Sequence, residues 1–381
     1  MAERRERVWP IPTRFVMPCP PVSPIQHSAI DDRDQVPNVF AMKFLSDTTS
    51  PAHPDVLAAL AKANEGYAPS YGNDPLTAEL RERLAALFGC ELDIVLTTSG
   101  TASNALALSV LCPSHAVILC HDEAHIHRDE RGAPEFFTGG GKLLPLKGDH
   151  AKIDPALLAA ALAEWPQDFV HTTPPRALSI SNLNESGCAY SPRELMELTA
   201  PAKAKGLSVH LDGARFANAL VSLGCSPADM SWKAGGDILC FGATKNAALG
   251  AEAIILFGET RDRLGELQAR QKRSGHMGPK ARFIAAQMCA WLDNDLWLDL
   301  ARKANSAARE IERLLMRSGG AEMAHPVDGN EVFARLDPVL ADQLQKAGAG
   351  FYAWPDGSAR FVASWCTSAE ELAAFEAAIN G

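Results

Sequence analysis

Between residues 94 and 257 the chain repeats one pattern: a short, largely apolar run, a polar turn, then a helical segment. Residues 94–97, 116–120, 142–146, 207–212, 237–242 and 252–257 read as strands. Runs that are apolar at successive positions have no solvent face, so they belong in a mostly parallel sheet covered by helices on both sides. The fold class is therefore α/β. Ligands of such sheets settle beyond the carboxyl ends of the strands. Polar residues collect at those ends here: Ser99-Gly100-Thr101, His121 to His127, Asp212 to Arg215, and Lys245.

Local signals punctuate this frame. Asp74 before Pro75 opens a helix, with Leu76, Leu80, Leu84 and Leu87 on one face and Gly89 at its end. Asp154-Pro155 caps another. Residues 169–172 and 177–181 read as one or two more strands. Ser191-Pro192 starts a helix reaching Gly206, which Pro201 must bend or interrupt. After about residue 258 the alternation stops. A long helical segment, 279–316, leads to short strands at 331–336 and 359–365, and Ser368 with Glu371 makes a capping box for a last helix. The expected organisation is a large domain, 42–258, and a smaller α+β domain, 259–381. Residues 1–41, rich in Pro and Arg and without periodicity, read as a disordered extension, with Met42 as the natural start.

Composition removes several functions. The chain has 381 residues, is 47% apolar and carries a net charge of −10. No basic run offsets that charge, which argues against nucleic acid or an anionic membrane as partner. No apolar run approaches the roughly 20 residues a membrane helix needs. The nine cysteines form no CxxC pair, which suits reduced thiols in a cytoplasm.

Four features carry chemistry. Lys245 lies between two apolar strands, where a desolvated ammonium is costly. Either it reaches solvent at a strand end, or its amine is neutralised by condensing with an aldehyde. Ser99-Gly100-Thr101, between a strand and a helix, is a phosphate site by dipole and free N–H groups, or an ordinary cap. Asp212 ends the strand Leu-Ser-Val-His-Leu-Asp; it pairs with a cationic ring nitrogen or simply with Arg215. His121, His125 and His127 invite a metal reading, yet His121-x-x-x-His125 needs a helix where the pattern shows a strand end, and HDEAH is not HExxH. A single histidine stacked on a ring or acting as base fits better. GxSxG, GxGxxG after a strand and the phosphate-loop motif are absent.

Taken in order, SGT (99–101), EAHIH (123–127), HLDGAR (210–215) and GATKN (242–246) resemble the fold-type I (aminotransferase-like) pyridoxal-phosphate enzymes, and within them the threonine aldolases. FLSDTTSP (44–51), YGNDP (71–75) and ARFVASW (359–365) are similar to further motifs of that family, so the resemblance spans residues 42–381. Two departures stand out. TKN replaces the more usual SKG, as in the low-specificity and phenylserine-type aldolases, and Ile180-Ser-Asn-Leu-Asn-Glu185 replaces the family's ENTHN segment.

The resemblance implies pyridoxal 5'-phosphate held covalently by Lys245, with Gly100 and Thr101 on its phosphate and Asp212 on its ring nitrogen. His125 would stack on the ring and help take the substrate's β-hydroxyl proton. Arg215 and Arg360, with Ser46, would bind the substrate carboxylate, Arg215 also lying beside the cofactor, and His171 would reach the hydroxyl. The implied reaction is retro-aldol cleavage of β-hydroxy-α-amino acids, such as threonine, allo-threonine or phenylserine, to glycine and an aldehyde. A homo-oligomer, dimer or tetramer, is implied too, with Tyr71 and the basic segment 272–282 reaching a neighbouring subunit. The rival readings are a β-eliminating lyase or aminotransferase of the same fold, a metal-dependent hydrolase built on the histidines, and a non-catalytic binding protein.

Overall fold

Seven strands make the central sheet: β1 (Leu92–Thr97), β2 (Val117–His121), β3 (Lys142–Leu146), β4 (Pro175–Ser181), β5 (Ser208–Gly213), β6 (Ile238–Gly242) and β7 (Glu252–Phe257). The computed structural model describes residues 41–164 and 169–381. The extension 1–41, all but its last residue, lies outside the described residues. Strand order is β1-β7-β6-β5-β4-β2-β3. All strands run parallel except β7, which is antiparallel to both β1 and β6.

The period of two along each strand sorts its side chains to opposite faces. Ile94, Leu96, Leu119, Leu239, Phe241 and Ile255 enter one apolar cluster. Val95, Ile118, Cys120, Ile238, Ile254 and Leu256 enter another. That is why the strands read as unbroken apolar runs. On the first face the helix Pro75–Phe88 delivers Leu80, Leu84 and Phe88, and Phe88 meets Phe241 edge-on with ring centroids 5.8 Å apart. On the second the helix Gly100–Leu111 packs with ten of its residues buried.

Two expectations are corrected and one is narrowed. Residues 169–172 form a turn, not a strand: the Thr172 amide donates to the Phe169 carbonyl, and β4 starts only at Pro175. Prolines 174 and 175 lack the N–H groups a ladder needs. Of the two outcomes expected at Pro201, interruption does not occur: the helix Pro192–Ala204 runs through it. The segment 279–316 is two helices, Arg282–Leu292 and Leu296–Ser318, separated where Asn294 and Asp295 take left-handed φ values of 51° and 58°. Asn and Asp tolerate that region better than most residues.

A second, antiparallel sheet lies towards the C-terminus: β8 (Ala321–Met323), β9 (Glu331–Leu336), β10 (Tyr352–Ala353) and β11 (Ala359–Val362), in the order β10-β11-β9-β8. Its core takes Val332, Phe361 and Phe375, and also Met42 and Phe44 from the start of the described chain. The helix Leu296–Ser318 serves both cores. Its Trp297, Leu300 and Ala301 pack with the large sheet, and its Ala308, Ile311 and Leu315 with the small one. The two apolar cores therefore meet along that helix. Among the described residues no helix is long and apolar enough to cross a membrane.

Candidate active site

The carboxyl ends of β4, β5 and β6 are level, because Ser181 pairs with Asp212 and Asp212 with Cys240. Two glycines let the chain pack closely at this edge. A Cβ on Gly213 would sit 2.7 Å from the Cys240 carbonyl oxygen, and one on Gly242 would sit 2.6 Å from Glu252 Oε2 and 3.1 Å from Ala214 Cα.

Just beyond β6, Lys245 sits in a single turn, Thr244–Asn246. Thr244 Oγ1 donates to Glu252 Oε1 and accepts from the Ala251 amide, while Asn246 Nδ2 donates to the Trp297 carbonyl at 2.8 Å. The turn ends on Ala247 in the left-handed region, φ 80°, a conformation costing an L-residue about 1 kcal/mol or more. The amide of His53 donates to the Ala247 carbonyl at 2.9 Å and helps hold it there.

Asp212 is 7% exposed. Its Oδ1 accepts from the Ala214 amide at 3.0 Å and its Oδ2 from Asn104 Nδ2 at 2.8 Å. Burial pushes its carboxyl up, but His125, His210 and Lys245 outweigh that and hold it below the usual carboxylate range. Asn104 Nδ2 also donates to Glu130 Oε1 at 2.9 Å, and Glu130 Oε1 lies 2.8 Å from His125 Nδ1. Burial lowers the His125 pKa, yet the bond to Glu130 and the charge of Asp212 raise it further, so the net direction is up. The His125 backbone amide donates to Glu185 Oε1 at 2.8 Å.

A second wall carries arginines. Arg215 donates from Nε and Nη2 to Asp47 at 2.7 and 3.1 Å, and its Nη1 lies 3.2 Å from Glu331 Oε2. Asn330 Nδ2 also donates to Asp47. Burial pushes Asp47 up, but Arg215 and then Lys245 bring it below its ordinary value. Arg360 donates from Nε to Glu331 Oε1 at 3.2 Å, and its guanidinium carbon lies 5.0 Å from the Trp354 ring centroid. Ser46 caps the turn Asp47–Thr49, accepting from the Thr48 amide at 3.2 Å.

Gly100 and Thr101 begin the helix Gly100–Leu111, with Ser99 Oγ accepting from the Ala102 amide at 3.2 Å. A Cβ on Gly100 would meet nothing within 4 Å, so this helix start opens onto free space. Pyridoxal phosphate fits these residues. Lys245 offers the amine, Asp212 an ionised acid, His125 a ring and Gly100–Thr101 a phosphate seat. The wall around Asp212 is rich in acceptors, for Asn104 Oδ1 and Glu130 Oε2 are buried without hydrogen-bond partners. Such a wall suits a cationic ring N–H.

Two sequence expectations meet the geometry differently. His171 stands in the turn before Pro175, at the amino edge of the sheet, exposed and with its ring 5.3 Å from that of Phe169. It is therefore at the opposite edge from Asp212. Arg215 has most of its fork turned to Asp47 and Glu331, which leaves Arg360 the less occupied guanidinium. The histidine cluster does not converge: His121 bonds the Gly148 carbonyl and the Glu123 amide, His125 bonds Glu130, and His127 bonds the Asp122 carbonyl. Among the described residues no group of three or more His, Cys, Asp or Glu is placed to hold a metal ion.

Sequence reasoning missed Asn104, Glu130, Asp47, Glu331 and Glu185. Asn104 alone had a local signal, a polar side chain inside an apolar helix. Asp47 lies in FLSDTTSP, but nothing in that stretch names Arg215 as its partner.

Residues 43–338 match the family described as "Beta-eliminating lyase". The chain is 40% identical over 331 residues to the low specificity L-threonine aldolase of Pseudomonas aeruginosa, covering 87% of this chain and 94% of that relative. A solved threonine aldolase from Leishmania major matches with a TM-score of 0.82 at 26% identity, covering 88% of this chain and 98% of that one. Histidinol-phosphate aminotransferase from Sinorhizobium meliloti, solved in complex with pyridoxal-5'-phosphate, shares the fold with a TM-score of 0.63 at 19% identity, over 89% and 90% of the two chains. An antiparallel strand within an otherwise parallel seven-stranded sheet, a lysine just past its carboxyl edge and these likenesses lead to one conclusion: the chain belongs to the β-eliminating lyase family, on the fold-type I architecture.

Proposed function

We propose that the chain is a pyridoxal-phosphate-dependent aldehyde-lyase that cleaves β-hydroxy-α-amino acids of the threonine, allo-threonine and phenylserine type to glycine and an aldehyde. The observation that carries this reading is the meeting of Lys245, Asp212 and His125 at one edge of the sheet, in a chain 40% identical to a low specificity L-threonine aldolase. When bound, the cofactor supplies an electron sink for the pair released as a bond at the α-carbon breaks. The protein's own residues do the rest. Asp212, held ionised, keeps a ring nitrogen protonated. Gly100 and Thr101 direct N–H groups at a phosphate. Glu130 holds His125 by Nδ1, which fixes the ring's orientation over the site. Arg360, with Ser46 and Arg215, orients a carboxylate, where a planar fork outperforms an ammonium.

The family's description favours a second reading, β-elimination. Incubation with threonine, allo-threonine, phenylserine and serine separates the two. Aldol cleavage gives glycine and an aldehyde; elimination gives a 2-oxo acid and ammonia, and a dominant yield of the latter pair refutes the aldolase reading. The proposal also places the enzyme in the cytoplasm as a homo-oligomer, dimer or tetramer. Tyr71, whose ring stacks on Lys272 at 4.4 Å, marks the segment that would face a neighbouring subunit.

A further inference from the structure

The loop after β4 is where this chain departs from the ENTHN segment, and it carries a carboxyl to which the reading above assigns no role. Residues 182–190 are buried apart from Glu185, which keeps part of its surface. Its Oε1 accepts from Ser181 Oγ at 2.7 Å and from the His125 backbone amide at 2.8 Å. Ser181 is in register with Asp212, so Glu185 stands at the same edge as Asp212 and one hydrogen bond from the residue whose ring serves the site. The charges of Asp212 and Arg215 both reach it, but those two groups face other partners. Burial pushes its carboxyl up to about 7; the Ser181 hydroxyl opposes the rise and Asp212 adds to it. A carboxyl that changes charge near neutrality, in a site where a neighbouring acid stays ionised, is suited to moving protons.

We propose that Glu185 is a further catalytic residue: the base that takes the β-hydroxyl proton during carbon–carbon cleavage. This rests on the retro-aldol reading. The hydroxyl O–H bond breaks towards the Glu185 carboxylate, and its electron pair closes the C=O bond of the departing aldehyde. As the Cα–Cβ bond breaks, its pair would go to the electron sink that pyridoxal phosphate supplies when held at Lys245 and Asp212. Glu185 releases the proton to water. The α-carbon takes one from the Lys245 ammonium, which water then replenishes, so protons balance over the cycle. His125 remains the ring tied to Glu130.

Glu185→Gln keeps the acceptor and removes the charge. The variant holoenzyme is expected to keep its yellow colour and to exchange the α-proton of glycine with deuterated water within about threefold of wild type. Cleavage of phenylserine should fall about 10²-fold. In infrared titration, the wild-type-minus-variant difference spectrum should carry a protonated-carboxyl band titrating around pH 7, the contribution of Glu252, lifted to about 7 too, cancelling between the two. Ser181→Ala, a smaller change, should raise the midpoint of that band, because the hydroxyl favouring the ionised form is gone. Equal losses of exchange and cleavage, undiminished cleavage, or a difference spectrum without that band each overturn the proposal. A wild type that exchanges glycine but cleaves no β-hydroxy amino acid overturns the aldolase reading instead, and the titration still reports on Glu185.

Discussion

The two walls of the site bury carboxyl groups to similar depths and treat them oppositely. On the arginine wall Asp47 is 1% exposed, yet Arg215 keeps it below the ordinary carboxylate range. Where no arginine pairs with the carboxyl, burial pushes Glu130 up, and lifts Glu185 and Glu252 to about 7. Burial alone does not settle a carboxyl's charge; the counter-charge it meets does. One wall is thus a fixed ionic frame. The other is a proton-exchanging surface with Asp212, steadied by His125 and Lys245, as its one durable anion. Lys245 stands between them, influencing acids on both sides.

That contrast can be broken at several points. The largest effect belongs to Lys245→Ala, which removes the group common to both walls. Cleavage should fall by at least about 10³-fold and the cofactor's visible absorption should vanish; a coloured, active variant would remove the basis for the assignment. Next comes Asp47→Asn, which strips the arginine wall of its buried partner. Urea unfolding should show a loss of about 3 kcal/mol, and less than about 1 kcal/mol would mean that the frame is not held by this pair. The sign in pH follows from a native pKa below the unfolded value of about 3.9. The pair's contribution is complete above that value and disappears as pH falls through the native one.

Arg360→Ala tests which arginine meets the substrate. KM for the amino acid should rise about 10–100-fold, the range of a charged hydrogen bond, with cofactor affinity unchanged; parallel loss of both would make Arg360 a structural residue. The smallest effect is on the proton-exchanging wall. The Glu130 carboxylate raises the proton affinity of His125, so Glu130→Gln should lower the ring's titration midpoint. Proton NMR of the His125 ring reads this directly, and an unmoved midpoint would show Glu130 to be neutral in the native site.

Much of the frame was legible because burial on both faces writes itself into every residue of a strand. Strand 142–146 begins and ends as expected, a helix starts at Ser191-Pro192, and the capping box at Ser368 forms. The turn at Phe169 was not legible, because an apolar run says nothing of the prolines' missing donors until a ladder needs them. Nor was the break at Asn294–Asp295, which depends on two residues taking positive φ within a helical pattern. The change of pattern at 258 marks where strands stop alternating, and by itself it does not show where packing changes partner. His171 shows the same limit, since whether a residue lies at the amino or carboxyl edge depends on where its strand begins.

The residues along the chain determined which segments are strands, which turns carry polar groups, and that Lys245, Asp212, His125 and the Ser99–Thr101 turn lie at strand ends. Hydrophobic periodicity and capping are local, so they can be read locally. Only the tertiary structure decided which charges meet: Asn104 with Asp212 across 108 positions, and Asp47 with Arg215 across 168. A carboxyl's state follows from how far water is excluded and what faces it within a few ångströms. Those distances exist only once the sheet has brought its edges together.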